Sequence, residues 1–439
     1  MAIPETRDFD FIVVGGIGTA GCVVAGRLAE NLSVSVLVIE AGMDNPGAVD
    51  AITTPARAFE LRGSKYDWSY KTGMIDRPEY TRIEKPNTRG KIPGSAATYD
   101  DWVPYGGAEW GEKLRYMGAG GPLSISHSDL IPEAKPFRDA LERAWVSKGE
   151  PLTDDHIQWE ALVVELAVPR GQAERDGAGP HARQVARIEG GKAVGVEAIG
   201  PDGEATLSFR AAREMIVSLG VYESPKLLML SSVGPRAELG RFGIDVAVKS
   251  AHVGQNLLDH PILPHVLKIR DGCGLDRHLL RARLEKDAAV SAYRWKYKGP
   301  YTSGLLELVG LPRIDEQLAA CPEYAAYKAA NGGVDPFGPG GQPHFEIDFV
   351  PMFSDALQWH IPCPPAGDHL TVIVDLLRPL SRSGAVTLNS ADPLEQAKID
   401  INFFWHDLDL VAMREGVRWV DDVLMNGEGM RDMIEGDYP

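Results

Sequence analysis

Phe9–Val14 (FDFIVV), Gly15–Gly21 (GGIGTAG), Cys22–Glu30 (CVVAGRLAE) and Val34–Gly42 (VSVLVIEAG) follow one another near the start of the chain and decide how it is read. The first run is short, apolar and rich in Ile and Val, which predicts a buried parallel strand. Gly16, Gly18 and Gly21 give the spacing G-x-G-x-x-G. In such a turn the first glycine permits the tight reversal. The second lets backbone approach a pyrophosphate, and the third lets the helix pack close to the strand. A helix over Ala20–Glu30, entered through Thr19, then points its free N–H groups at the phosphates. A second strand, Val34–Ile39, ends in Glu40 and Ala41. An acid at that distance beyond the glycines is placed to bind a ribose hydroxyl.

The glycine spacing alone is weak evidence. With 47 glycines in 439 residues, about half a match is expected by chance. Strand before, helix after, second strand and terminal acid together turn it into a dinucleotide site. A βαβ unit with no ligand is the competing reading.

Composition narrows the rest. The chain has room for two or three domains. Its net charge of −17 argues against nucleic acid and anionic membrane surfaces as partners. Cys22, Cys273, Cys321 and Cys363 are scattered without metal-site spacing. They read as reduced thiols, so a cytoplasmic location and no metal are expected. No secretory leader and no apolar run of bilayer length are visible.

Further along, Asn45–Arg89 is rich in Pro, Gly, Asp and Tyr and reads as extended excursions from the sheet. Glu133–Ser147 has apolar residues at helical spacing. The stretch 172–180 reads as a loop, and 185–197 as a hairpin with a Gly-Gly turn. Arg213–Leu219 reads as a core strand, with Ser224 as N-cap and Pro225 as first residue of the following helix. Asp259-His260-Pro261 reads as a hydrogen-bonded structural corner. Phe345–Pro351, Leu370–Leu376 and Ala385–Leu388 alternate as strands of an antiparallel sheet, one face packed and one free to line a cavity. Asp409–Val423 reads as a helix.

Several of these stretches carry a family resemblance. The opening fingerprint, Asp67-Trp68 with Thr72, and Arg89-Gly90-Lys91 are similar to the glucose–methanol–choline (GMC) oxidoreductases. So are Glu214–Gly220 with Glu223–Ser231 and Gly234-Pro235, Val253–Pro261 (VGQNLLDHP), and Arg378–Gly384 with Asp392-Pro393. The resemblance implies FAD as cofactor and oxidation of a CH–OH group of a small alcohol by hydride transfer to the flavin. It also implies a Rossmann-like α/β FAD domain over residues 1–262, with irregular excursions at 45–135 and 156–184. A second α+β domain at 263–439, built on an antiparallel sheet, would bind substrate. Carried over residue by residue, the cofactor contacts are Gly16, Gly18, Thr19, Ala20, Gly21, Glu40 and Ala41, with Arg89, Gly90 and Gly94 as flavin neighbours.

The sequence departs from the family in two places. After Gly94 it passes almost at once to Ser95–Trp102, where the family has a longer segment under the flavin. The family's histidine-bearing catalytic segments are not matched before Pro439, so no catalytic residue is assigned. His406 precedes the last helix in a non-matching context. An incomplete homologue without redox activity, or a non-redox lyase or cyclase on the same scaffold, are the alternative readings.

Overall fold

In this computed structural model the described residues are 7–16, 18–42, 49–75, 77, 83–87, 89, 125–126, 131–150, 152, 163–164, 184–199, 206–281, 284–306, 308–354 and 362–438. Gly90, Gly94, the loop read at 172–180 and most of the 156–184 excursion lie outside them.

Strand β1 (Arg7–Val14), helix α1 (Thr19–Ala29) and strand β2 (Val36–Ile39) form the expected βαβ unit. β1 and β2 are parallel, from Phe11 opposite Val36 to Val14 opposite Ile39. Ile12, Val13 and Val14 are fully buried, as an Ile/Val run flanked on both sides by strands requires. Strands β3 (Gln184–Glu189) and β4 (Lys192–Ile199) form the hairpin, with Glu189 opposite Lys192. Gly190 and Gly191 take positive φ of 58° and 77°, the pair of left-handed residues that a two-residue turn matched to strand twist needs. Strand β5 (Thr206–Val217) completes a sheet of order β2-β1-β5-β4-β3. β5 runs parallel to β1 on the side away from β2. It starts well before the expected Arg213, because its first half pairs with β4.

Helix α2 (Gly220–Leu230) follows β5 directly. Ser224 is therefore not its N-cap and Pro225 is not its first residue. Gly220, at φ 79°, makes the reversal and the helix starts there. Pro225 sits inside, and its missing N–H leaves the Val221 carbonyl without the usual helical donor.

A second sheet is antiparallel throughout. Its strands are β6 (Ile262–Ile269), β7 (Leu308–Gly310), β8 (Phe345–Val350), β9 (Asp368–Leu376) and β10 (Ile434–Asp437), in the order β7-β8-β9-β6-β10. One face carries Leu267, Phe345, Ile347, Phe349, Val372 and Val374. It packs on helix α3 (Asp407–Asn426) and on the helix Lys135–Ser147 to make the largest core. The other face carries Glu346, Asp348, Ile373 and Asp375, which face one another across the strands.

A third sheet joins Gln255–Leu257, Gly384–Thr387, Lys398–Asp400, Tyr70–Ile75 and Ile83–Asn87, in that order. Its strands come from both sides of residue 262, so the two expected domains share a sheet. Two of them lie in the stretch read as irregular excursion. Their residues alternate too weakly, and Pro86 sits within one, so the period-2 signal is lost.

Candidate functional site

The carboxyl ends of β1 and β5 meet where chain connections diverge to opposite sides of β1, the topological switch point of an open α/β sheet. The Gly15 turn lies against Ser218. The Ser218 hydroxyl donates to the carbonyls of Val14 and Gly15, at 3.1 Å each. Two helices, α1 and α2, begin at this edge, so two N-termini with unsatisfied N–H groups converge on it.

The glycines divide by what a side chain would meet. A Cβ on Gly16 would sit 2.3 Å from Val38 Cγ1, and one on Gly21 would sit 2.3 Å from the Gly15 carbonyl oxygen. Both are glycine because the protein's own packing leaves no room. A Cβ on Gly18 would meet nothing closer than 3.8 Å. Gly18 is the N-cap of α1 and has no side chain with which to cap it. The space over it is the space a diphosphate needs to reach Thr19, Ala20 and Gly21 at the helix start.

Glu40 stands at the end of β2, half-buried. Its Oε1 accepts from the N–H groups of Ala41 and Gly42 at 2.8 and 2.9 Å. The carboxylate is thereby fixed in the αβ corner. Cys22 on α1 feels it there: burial pushes the Cys22 thiol up, and the Glu40 charge adds to this.

Arg89 lies on a second wall. Its guanidinium stacks 4.9 Å from the centre of the Tyr222 ring and donates to Asn87 Oδ1 at 2.8 Å. Its backbone N–H donates to Asp67 at 2.9 Å, and its carbonyl accepts from Trp68. Burial opposes ionisation of Asp67, but the N–H groups of Gly63, Ser69 and Arg89 outweigh it and hold the carboxyl below its usual range. The acid of the Asp67-Trp68 stretch is thus the pin that positions Arg89, and the stretch is more than aromatic packing.

Behind Arg89 is a polar network that sequence reasoning missed. Asn87 Nδ2 donates to the Tyr222 hydroxyl at 2.9 Å, and the Tyr70 hydroxyl donates to Glu223 at 2.9 Å. Lys226 is buried and pairs with Glu223 at 3.1 Å. Burial, then the Glu223 charge, keeps the Tyr70 phenol protonated far above its ordinary range. The one signal available was Glu223 three residues before Lys226 on one helix face.

A cleft of about 320 Å³ opens beside this network, lined by Val221, Pro225, Gly254, Gln255, Asn256, Leu257, Leu258 and Val386. Gly254, at φ 77°, lies so close to Val386 that a Cβ would be 2.1 Å from its carbonyl oxygen. The next turn is the expected corner. His260 N–H donates to Asp259 at 3.0 Å, and His260 Nδ1 lies 3.4 Å from Asp375 on β9. Burial raises Asp375 to about 6, and burial with Glu346 and Asp375 raises Asp348 to about 7. The second face of that sheet therefore carries protonatable acids. His406 is structural: its Nδ1 accepts from Leu408 N–H and caps α3.

Among the described residues, Asp315, Asp335 and His344 come close enough together to suggest a metal site. Their bonding excludes it. His344 Nδ1 accepts from Ile314 N–H at 3.2 Å, so Nε2 carries the proton that meets Asp335 at 2.9 Å. Arg313 bridges both carboxylates at 2.7 Å and supplies the positive charge.

The GMC oxidoreductase family profile matches residues 178–262 and 379–437. Formate oxidase in its crystal structure is 46% identical, with a TM-score of 0.87, covering 100% of this chain and 84% of that one. A variant of Aspergillus oryzae formate oxidase, solved for its effect on FAD modification, gives 0.89 at the same identity and coverage. Ecdysone oxidase of Spodoptera littoralis is 28% identical over 93% of this chain and 74% of its own length. Pyranose dehydrogenase 3 of Leucoagaricus meleagris is 27% identical over 100% and 80%. The chain belongs to the GMC oxidoreductase family. It is an FAD-dependent oxidoreductase of the class that acts on CH–OH groups of small molecules. No helix among the described residues is long and apolar enough to cross a membrane.

Proposed function

We propose that this chain holds FAD across the β1/β5 switch point and oxidises a CH–OH group of a small alcohol. Bound there, FAD supplies the acceptor for the hydride leaving the substrate carbon. The observation that carries the reading is the contrast between Gly18, open to a ligand, and Gly16 and Gly21, closed by packing. Gly16, Gly18, Thr19, Ala20 and Gly21 hold the diphosphate through the α1 N-terminus. Glu40 and Ala41 orient the ribose. Arg89, fixed by Asp67 and Tyr222, lends positive charge from the second wall, with Gly90 and Gly94 as its neighbours in sequence. Residues 263–439 act as the substrate-binding half, using the face of the second sheet that carries Asp348 and Asp375.

A second reading is favoured by the 46% identity to formate oxidase: the substrate is formate rather than an alcohol. Acids that keep protons near pH 6 to 7 support it, because a neutral carboxyl donates a hydrogen bond to a carboxylate where an ionised one would repel it. Four free cysteines fit a reducing compartment and support a cytoplasmic chain.

The test is titration of flavin-free protein with FAD, followed by anaerobic mixing with primary alcohols, sugars and formate. Tight flavin binding and bleaching by one substrate class support the proposal and choose between its two readings. Flavin bound without bleaching by any of them contradicts the catalytic part, leaving an inactive homologue or a non-redox lyase or cyclase.

A further inference from the structure

The helix Leu284–Lys296 presents a face to solvent that none of the described residues covers. Its inner side carries Ala289, Val290 and Tyr293, which pack on the core containing Leu279 and Tyr301. Tyr293 also donates its hydroxyl to the Thr53 carbonyl at 2.9 Å. The opposite side carries Leu284, Ala288, Ser291 and Trp295, spaced to fall in one stripe. Leu284 is 84% and Trp295 77% exposed. The large apolar groups stand at the two ends of the stripe, with the small residues Ala288 and Ser291 between them.

The charges flanking the stripe are ordered. One flank carries Asp287 and then Arg294. The other carries Glu285 and then Lys296, and all four are exposed. Each flank is acidic toward the helix start and basic toward its end. A two-fold axis perpendicular to an antiparallel helix pair brings each flank against the same flank of its mate. In that arrangement Asp287 faces the partner's Arg294, and Glu285 faces the partner's Lys296. With the centre of the pairing one residue earlier, about 1.5 Å along the axis, Leu284 lies beside the partner's Trp295, and Ala288 beside the partner's Ser291, where small residues allow close approach. The pattern is complementary to itself when one copy is reversed.

The geometry points to a second copy of this chain as the occupant of this face, in a two-fold antiparallel pairing of Leu284–Lys296. One 13-residue helix offers much less than the roughly 800 Å² per partner of a standard interface. The dimer is therefore weak and concentration-dependent. The net charge of −17 on each copy opposes it, but charges farther apart than the screening length of about 8 Å at physiological salt are largely screened, while the flank pairs act inside that length.

Sedimentation velocity of the full chain over a concentration series tests this. The expected result is a monomer–dimer equilibrium. Asp287→Arg, and separately Arg294→Asp, put like charges opposite each other and weaken it by about tenfold or more. The double swap Asp287→Arg with Arg294→Asp restores opposite charges and brings the dimer back, which no folding defect would do. Circular dichroism identical to the parent confirms that the surface variants fold. A monomer at every concentration overturns the inference, as does a dimer that the single reversals leave untouched. A monomer that binds phosphatidylserine vesicles through Trp295, with binding lost in Trp295→Ala, also overturns it and assigns the patch to a lipid surface.

Discussion

At the scale of single residues, the glycines of one fingerprint do different work, and substitution separates them. Gly21→Val pushes side-chain atoms into backbone 2.3 Å away. It is expected to destabilise the chain by about 3 kcal/mol or more, seen as a lower urea midpoint with and without flavin. The Cβ that Gly18→Val adds meets no protein atom closer than ordinary contact. The flavin-free variant should melt within a degree or two of the parent, while its FAD affinity drops by about a hundredfold or more. Equal loss of stability in both variants would contradict the division. Lys226 gives a second residue-level test. It is 6% exposed and compensates Glu223. Lys226→Met strands that carboxylate and should cost about 3 kcal/mol in urea unfolding. Tyr70→Phe, which removes one hydrogen bond, should cost about 1 kcal/mol. If Lys226→Met proves the milder change, Lys226 is not what compensates the Glu223 carboxylate.

At the scale of elements, the second sheet is asymmetric: one face apolar and packed, the other carrying acids. Asp348 and Asp375 titrate near 7 and 6 because burial penalises their charge. The folded chain therefore keeps protons that the unfolded chain releases from about pH 4 upward. Their contribution to stability is fully present below about pH 4 and is lost as pH rises through 6 to 7. Asp348→Asn should match the parent near pH 4 and exceed it at pH 8, by on the order of 2 kcal/mol. Thermal melts across that range check the sign, and a variant less stable at pH 8 would refute the assignment.

The same scale shows what the residues disclosed beforehand. β1, α1, β2, α3 and two strands of the second sheet, β8 and β9, were legible, because each repeats its apolar residues at its own period over enough length, whereas Ala385–Leu388, read into the same sheet, pairs in the third sheet instead. Their ends differ from expectation by a few residues, where helices extend past the apolar stripe. Ser224-Pro225 misled because an N-cap before proline is a strong local signal. Tertiary context overrode it, with Gly220 turning the chain directly from β5 into α2. The fingerprint half of the site was legible for the same reason of local order. The wall around Arg89 was not: Asp67, Tyr70, Asn87, Tyr222 and Lys226 meet through contacts between residues far apart in the chain.

At the scale of the whole molecule, the third sheet binds the two halves together. Tyr70–Ile75 pairs with Lys398–Asp400, and Gln255–Leu257 with Gly384–Thr387. Neither half completes that sheet alone. Urea unfolding should therefore give coincident transitions by tryptophan fluorescence and far-ultraviolet circular dichroism. Two separated transitions would mean that the halves unfold independently.

The most direct measurement is the visible spectrum of the purified full chain after FAD is added and excess removed by desalting, before and after anaerobic addition of substrate. The account predicts flavin bands that survive desalting in the parent, are lost in Gly18→Val, and bleach with a small alcohol or formate. A colourless protein after desalting would contradict the claim that the β1/β5 switch point holds FAD.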